Sequence, residues 1–183
     1  MTARFDPAFA DANLESIWSR ACPDPIGPWD DLWRLYRAGV PADELRDVGA
    51  INAQIRRGRW VEDQSGHRAI ILPVMRAQEL IDLVAVRLET PLTFFSHEGL
   101  AAVLGVDELE RAAYFAQPLT VLESPLDWLR ARRRGVVVIN HEQFWPFHLA
   151  GIPALRCTSV EFGRRLRATL QRPFAIPEIQ VPT

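Results

Sequence analysis

The stretch of residues 121–140, which reads VLESPLDWLRARRRGVVVIN, most strongly limits the folds open to this chain. An apolar strand ends here at Glu123, and a short helix begins near Pro125, since proline suits the first turn of a helix. Gly135 then leads into residues 136–139, all Val or Ile, and such a run is typical of a parallel strand covered on both faces. The order predicts a βαβ unit. In open parallel sheets functional groups lie beyond the carboxyl ends of the strands, where Glu123 stands.

The 183 residues are enough for one domain with a sizeable core, or for one domain with a smaller partner. Proline, glycine and changes in apolar periodicity divide the chain. We predict a helical lead with a proline-rich linker (1–28), an N-terminal α+β section (29–117), a βαβ core (118–172) and an extended tail (173–183). The fold class is therefore predicted to be α/β, with a small α+β section ahead of a parallel-sheet core of three or more strands.

Within the N-terminal section the apolar periodicity switches between the helical and the strand type. A helix with one apolar face is predicted where apolar residues recur at i, i+3, i+4 and i+7, namely Trp29, Leu32, Trp33 and Tyr36. A short helix should follow after Pro41. Further along we predict a β-meander with strands at 59–62, 69–75 and 80–88. A helix is the alternative for 80–88, because its apolar residues fit neither period cleanly, but its β-branched residues favour the strand. Extended chain is predicted at 90–95, and helices at 98–104 and 107–115. A third core strand is predicted at 151–157 and a last helix at 160–170.

Composition excludes some classes of protein. The net charge is −2, so the molecule as a whole is not a basic nucleic-acid binder, although its 21 basic residues are all arginine. No run of about 18 apolar residues occurs, and the N-terminus has no apolar signal segment, so we expect no membrane partner and a cytoplasmic location. Cys22 and Cys157 lie far apart without metal-site spacing, which favours ordinary reduced thiols.

Over residues 118–172 the chain resembles Toprim domains, the metal-binding folds of bacterial primases, topoisomerases and phage primase-helicases. These domains open with a strand ending in Glu-Gly and place an Asp-x-Asp-x-x-Gly motif after the third strand. The glutamate corresponds to Glu123, with Ser124 in place of the glycine. The second motif falls on residues 158–163, where only Gly163 matches. The preceding stretch, 66–88, is similar to the β-hairpin region before the Toprim core of phage and plasmid primases.

The resemblance implies a degenerate site. Toprim chemistry holds Mg²⁺ through several carboxylates, and a hard cation needs several oxygen ligands. Here Thr158 and Val160 replace the two aspartates, which leaves Glu123 without its acidic partners. We therefore expect no bound metal or other cofactor and no catalytic activity. The resemblance implies a non-catalytic accessory or nucleic-acid-associated binding protein of the replication or mobile-element type, with DNA, RNA or a replication protein as partner, acting through the face around Glu123, Asn140 and Thr158.

Two alternatives remain open. One is a Mg²⁺-dependent nuclease or nucleotidyl transferase that uses Glu123 with Glu142 and Glu161. The other is a protein-interaction domain without a nucleic-acid role, whose surface is the aromatic run Phe144, Trp145 and Phe147. Core packing is the default interpretation of such a run, but Pro146 interrupts any helix there, so a loop that exposes the aromatic rings is the alternative.

Arginines cluster in two places and suggest a phosphate-binding surface. If the two helices that carry them lie on one side of the sheet, these arginines form one stripe; otherwise they are solvated helix ends near the negative end of the helix dipole. The first group is Arg130, Arg132, Arg133 and Arg134, and the second is Arg164, Arg165, Arg167 and Arg172.

The remaining polar residues have simpler interpretations. His97 and His141 each precede a glutamate, but neither has a second ligand at helical spacing, and His148 lies seven residues beyond His141. We predict hydrogen-bonded loop residues there. Ser124 follows a strand as a nucleophile would, but it lacks flanking glycines, so the N-cap of the helix at Pro125 is the predicted role.

Overall fold

The computed structural model describes residues 7–22, 29–141 and 146–171. Predictions for the linker at 23–28, for Glu142, Phe144, Trp145 and Arg172, and for the tail at 173–183 lie outside the described residues. None of the described helices has the length and the apolar character that a membrane-spanning helix requires. The helices and strands, in chain order, are α1 (Pro7–Ala21), α2 (Trp29–Arg37), β1 (Gly49–Arg56), β2 (Arg59–Glu62), β3 (His67–Arg76), β4 (Glu79–Val86), β5 (Phe94–Ser96), β6 (Val103–Leu104), α3 (Val106–Tyr114), β7 (Leu119–Leu122), α4 (Pro125–Arg130), β8 (Val136–Val138), β9 (Leu155–Cys157) and α5 (Val160–Leu170), with short 3₁₀ helices at Ala42–Leu45 and Pro146–Leu149.

The first sheet is antiparallel, in the order β2-β1-β3-β4-β5. Its two edge strands approach each other around Trp60, whose buried indole Nε1 donates to the carbonyl of Leu83 at 2.9 Å. Helix α1 packs on one face of this sheet through Leu14 and Ile17, which share a buried cluster with Trp60 and Ile71. The opposite face, with Leu72 and other β3 and β4 side chains, packs against the second half of the molecule.

The second sheet has the order β6-β8-β7-β9, with β7 parallel to both β8 and β9 and β6 antiparallel to β8. Successive side chains of a strand point to opposite faces. Leu122 and Val137 face α4 and the first sheet, whereas Val121, Val136 and Val138 face α3 and α5. Helices α4 and α5 therefore lie on opposite faces of this sheet.

The predicted α/β class is confirmed, as are the strands predicted at 59–62, 69–75 and 80–88, the βαβ unit and the last helix. The predicted β-meander is wrong in its strand order, because β1 lies between β2 and β3. The division of the chain at residues 28, 117 and 172 stays a prediction. The helix predicted at 98–104 is wrong, because residues 97–101 form a loop tied to Asp82 and residues 103–104 pair with β8. Strand β1 was not predicted, although its alternating burial follows from Ile51, Ala53 and their polar neighbours.

The predicted apolar face of α2 is wrong for Trp33 and Tyr36, whereas Leu32 packs against the core as predicted. Leu35 is the buried anchor of this helix, and Asp31 beside it is buried because it accepts a hydrogen bond from Arg68 at 2.7 Å. Trp33 and Tyr36, which the periodicity placed in the core, are more than half exposed. The pattern predicted the helix correctly but not which side is buried, because it counts Asp31 as a surface residue, although this aspartate is buried in an ion pair with the distant Arg68.

Candidate functional site at the carboxyl ends of the second sheet

Glu123 directly follows β7, and its carboxylate lies at the carboxyl end of the parallel strands. The register of β7 with β9 pairs Val121 with Cys157, so residues 158 and 159 continue alongside 122 and 123. From the first turns of α5, Arg165 reaches back and donates a hydrogen bond from Nη2 to Oε1 of Glu123. Glu123, predicted as the catalytic carboxylate of an active Mg²⁺ site, and Arg165, predicted as a phosphate contact, are therefore partners in one ion pair.

The residues at these strand ends do not fit a Mg²⁺ site of the Toprim type. Glu123 is neutralised by Arg165, Thr158 offers only a hydroxyl, and the exposed Val160 offers no ligand. Glu161 is exposed in the first turn of α5. Among residues 7–22, 29–141 and 146–171, no three His, Cys, Asp or Glu side chains are grouped so that they could hold a metal ion. That the protein binds no metal stays a prediction.

Helix α4 begins as the sequence predicts. Ser124 is its N-cap: the hydroxyl accepts a hydrogen bond from the backbone N–H of Asp127 at 3.1 Å and donates to the Asp127 carboxylate at 2.7 Å. This use of the hydroxyl confirms the capping interpretation. After the helix several residues have left-handed backbone, the last of them Gly135 with φ +95°. A Cβ added to Gly135 would lie only 2.6 Å from the carbonyl oxygen of Thr120.

The arginines at the end of α4 are largely engaged with the chain between α2 and β1. Arg130 donates from Nε to the carbonyl of Ala38 at 2.8 Å, at the end of α2. Arg132 forms an ion pair with Asp43. The pKa of Asp43 is lowered, first by this hydrogen bond from Arg132, despite the opposing effect of desolvation. These two arginines therefore tie the end of α4 to Ala38 and Asp43, in the chain between α2 and β1.

Arg133 is the most enclosed of the group. Its Nη2 donates to the carbonyl of Glu44 at 3.1 Å, and its guanidinium lies 5.5 Å from the centre of the Trp128 ring. The Nε atom is 2.9 Å from the Glu44 carboxylate, but its N–H is not aimed at the oxygen, so this contact is ionic rather than hydrogen-bonded. Arg134 is exposed and forms no salt bridge with any described residue.

The arginines of α5 lie on two sides of the helix, with Arg165 on the side of Glu123 and the others facing outward. Phe162 and Leu166 are buried against the sheet. Arg164 and Arg167 are exposed on the outward side and form no salt bridge within the described part of the chain. Because α4 and α5 lie on opposite faces of the sheet, the two arginine groups do not form the single stripe that the sequence suggested. The use of either group in nucleic-acid binding stays a prediction.

The predicted loop role of His97 is confirmed. Its Nδ1 lies 2.9 Å from the carbonyl oxygen of Trp60, and its ring packs against the Trp60 indole. The residue that organises this loop was missed. Asp82 is fully buried on β4, and its two carboxylate oxygens accept five backbone N–H groups at 2.8–3.3 Å, from Leu83, His97, Glu98, Leu100 and Ala101. A lone aspartate within the apolar run LIDLVAV was the available signal.

Comparisons with known proteins give little further guidance. No protein-family model matches the chain, and no curated protein matches it. Among solved structures, the chain is similar to the crystal structure of the Aquifex aeolicus primase (zinc-binding and RNA polymerase domains), with a TM-score of 0.48 and 11% identity. The similarity covers 71% of this chain and 41% of the primase chain, so this chain spans less than half the length of that one. A similarity this distant assigns no function.

Proposed function

We propose that this chain is a non-catalytic, nucleic-acid-associated binding module that contacts phosphates through the outward face of α5. The observation that carries the proposal is the exposure of Arg164 and Arg167 without a described carboxylate partner. They stand three residues apart on one helix, where side chains are neighbours, and guanidinium groups suit phosphate contacts. The resemblance of residues 118–172 to Toprim domains favours a setting in replication or on a mobile element.

The surroundings of Glu123 argue against a catalytic role. In a metal-dependent phosphoryl transfer the carboxylate must be available to a cation. Here Glu123 is paired with Arg165 instead, and Thr158 has no negative charge to offer a cation. The described residues therefore favour a bound polyanion rather than a reaction. The alternatives that involve Glu142 or the Phe144 and Trp145 surface depend on residues outside the described chain.

The test measures how DNA binding depends on salt concentration. Fluorescence anisotropy of labelled single-stranded and duplex oligonucleotides is the readout. Each neutralised phosphate contributes roughly 0.7–0.9 to the slope of log K against log salt. The double variant Arg164→Ser, Arg167→Ser should therefore lower the slope by about 1.4–1.8. Its melting temperature should equal that of the parent, because exposed charges contribute little to stability.

Two further variants separate the surfaces. Arg46→Ser with Arg57→Ser removes the same charge from exposed positions elsewhere and should leave the slope unchanged. Arg132→Ser with Arg134→Ser removes charge from the opposite face of the second sheet. The proposal is overturned if the parent binds no DNA at low salt, or if only the Arg132 and Arg134 variant loses binding.

A further inference from the structure

Helix α2 carries an exposed aromatic pair that the proposed function does not use. Trp33 is 58% exposed and Tyr36 is 51% exposed, and their rings stack with centroids 5.5 Å apart and an interplanar angle of 22°. Leu35, on the other side of the helix, is 1% exposed and holds α2 in the core. The aromatic pair is therefore presented on a fixed helix, which is the usual form of a protein-binding surface.

The charged residues beside this pair are of two kinds. Two of them are already paired: Arg34 with Glu89 at the surface, and the buried Asp31 with Arg68. Asp30 and Arg37 are exposed and form no salt bridge with any described residue. At 100° per residue these two side chains fall on the same side of the helix as the aromatic rings. We name this surface the α2 stripe; it consists of Asp30, Trp33, Tyr36 and Arg37.

The α2 stripe is complementary to itself. Along the helix it reads acidic, aromatic, aromatic, basic, with the acidic residue at one end and the basic residue at the other. When two such helices meet antiparallel, Asp30 of each copy lies opposite Arg37 of the other, and the aromatic residues meet between them. A twofold axis requires this kind of match, in which one surface is its own partner.

We propose that the α2 stripe is the interface of a homodimer related by twofold symmetry. Half-exposed aromatic side chains from two copies bury on the order of a few hundred Å², less than the roughly 1,200 Å² of a stable standard interface. The dimer is accordingly weak and transient, and we expect its dissociation constant to lie in the upper part of the micromolar range. Its two ion pairs lie at the rim, so added salt weakens it.

Sedimentation velocity of the full chain over a micromolar concentration series measures this equilibrium. Trp33→Ala should weaken dimerisation at least about 30-fold, as expected for an aromatic residue at the centre of an interface. Tyr114→Ala is the matched control, because Tyr114 is 84% exposed on α3 and should leave the equilibrium unchanged. Circular dichroism and melting of each variant verify folding.

A charge exchange distinguishes a second copy from any other partner. Asp30→Arg and Arg37→Asp each place like charges opposite one another and should weaken the dimer. The double variant should restore it, which a surface for a different partner would not do. A monomer at every concentration, a dimer unaffected by Trp33→Ala, or no restoration by the exchange overturns the proposal. So does a monomeric parent whose DNA binding falls with Trp33→Ala, because α2 would then bind nucleic acid.

Discussion

The carboxylate of Asp82 should be among the most important single groups for the stability of this fold. It connects β4 to residues 97–101, the loop that carries the chain from the first sheet to the second. In Asp82→Asn the shape is kept, but one acceptor oxygen becomes an NH₂ donor. If the amide oxygen takes the position of Oδ1, the backbone N–H groups of Leu100 and Ala101, now 2.9 and 3.3 Å from Oδ2, each face a donor.

The size of the effect follows from those two groups. A buried donor left without an acceptor costs about 1–3 kcal/mol, so two cost about 2–6 kcal/mol. Removal of a buried charge recovers part of its desolvation penalty, which offsets some of this loss. We expect Asp82→Asn to lower the free energy of unfolding by about 3 kcal/mol. For a chain of this length that corresponds to a fall in melting temperature of about 6–12 °C.

Urea unfolding and thermal melting of the parent, Asp82→Asn and Asp82→Ala measure this effect. Asp82→Ala removes every acceptor and should be the less stable of the two, close to the limit at which a domain of ordinary stability remains folded. Asp47→Asn is the control, because the side chain of Asp47 is 69% exposed. The unfolding midpoint of this variant should hardly differ from that of the parent. A melting temperature of Asp82→Asn within about 2 °C of the parent would refute the reasoning.

Three further outcomes are expected. Val138→Asp places an unpaired charge on a strand where Val138 is 3% exposed, so the variant should fail to fold, and a soluble protein with a cooperative melt would contradict the strand's burial. Calorimetric titration should show weak or no Mg²⁺ or Mn²⁺ binding; tight, stoichiometric binding abolished by Glu123→Gln would favour the enzyme alternative instead. A hydrogen bond from Arg34 lowers the pKa of Glu89 in the folded protein. This exposed pair therefore stabilises the fold at any pH above the pKa of an unfolded glutamate, about 4.3. The stabilisation is lost as the pH falls through the lower pKa that Glu89 has in the folded protein. Thermal melts of Glu89→Gln and the parent should accordingly differ slightly at neutral pH and converge in acid.

Local patterns in the sequence predict the βαβ unit well because its determinants are local. Ser124 and Pro125 start α4, Gly135 ends the turn after it, and Val136–Val138 follows as a buried strand. None of these features needs a distant partner to be recognised. The same is true of α5, which begins after its N-cap at Ser159.

The failures arise where a distant partner decides the structure. Residues 98–104 have helical composition, but the carboxylate of Asp82, some 16 residues earlier, holds Glu98 and its neighbours in a loop. On α2 the partner is Arg68, 37 residues away, which allows Asp31 to be buried and turns Trp33 outward. In both cases an aspartate that sequence patterns treat as a surface residue is an acceptor inside the protein.

The same limit applies to the candidate site. The sequence identifies Glu123 and Arg165 as candidate site residues. Nothing in their separation of 42 residues indicates that their side chains are in contact. The guanidinium of Arg165 on α5 neutralises this glutamate. A carboxylate that is only 25% exposed needs such a partner, because an unpaired charge there is costly. Arg165 therefore gives Glu123 a structural role, because their ion pair fastens α5 to the end of β7.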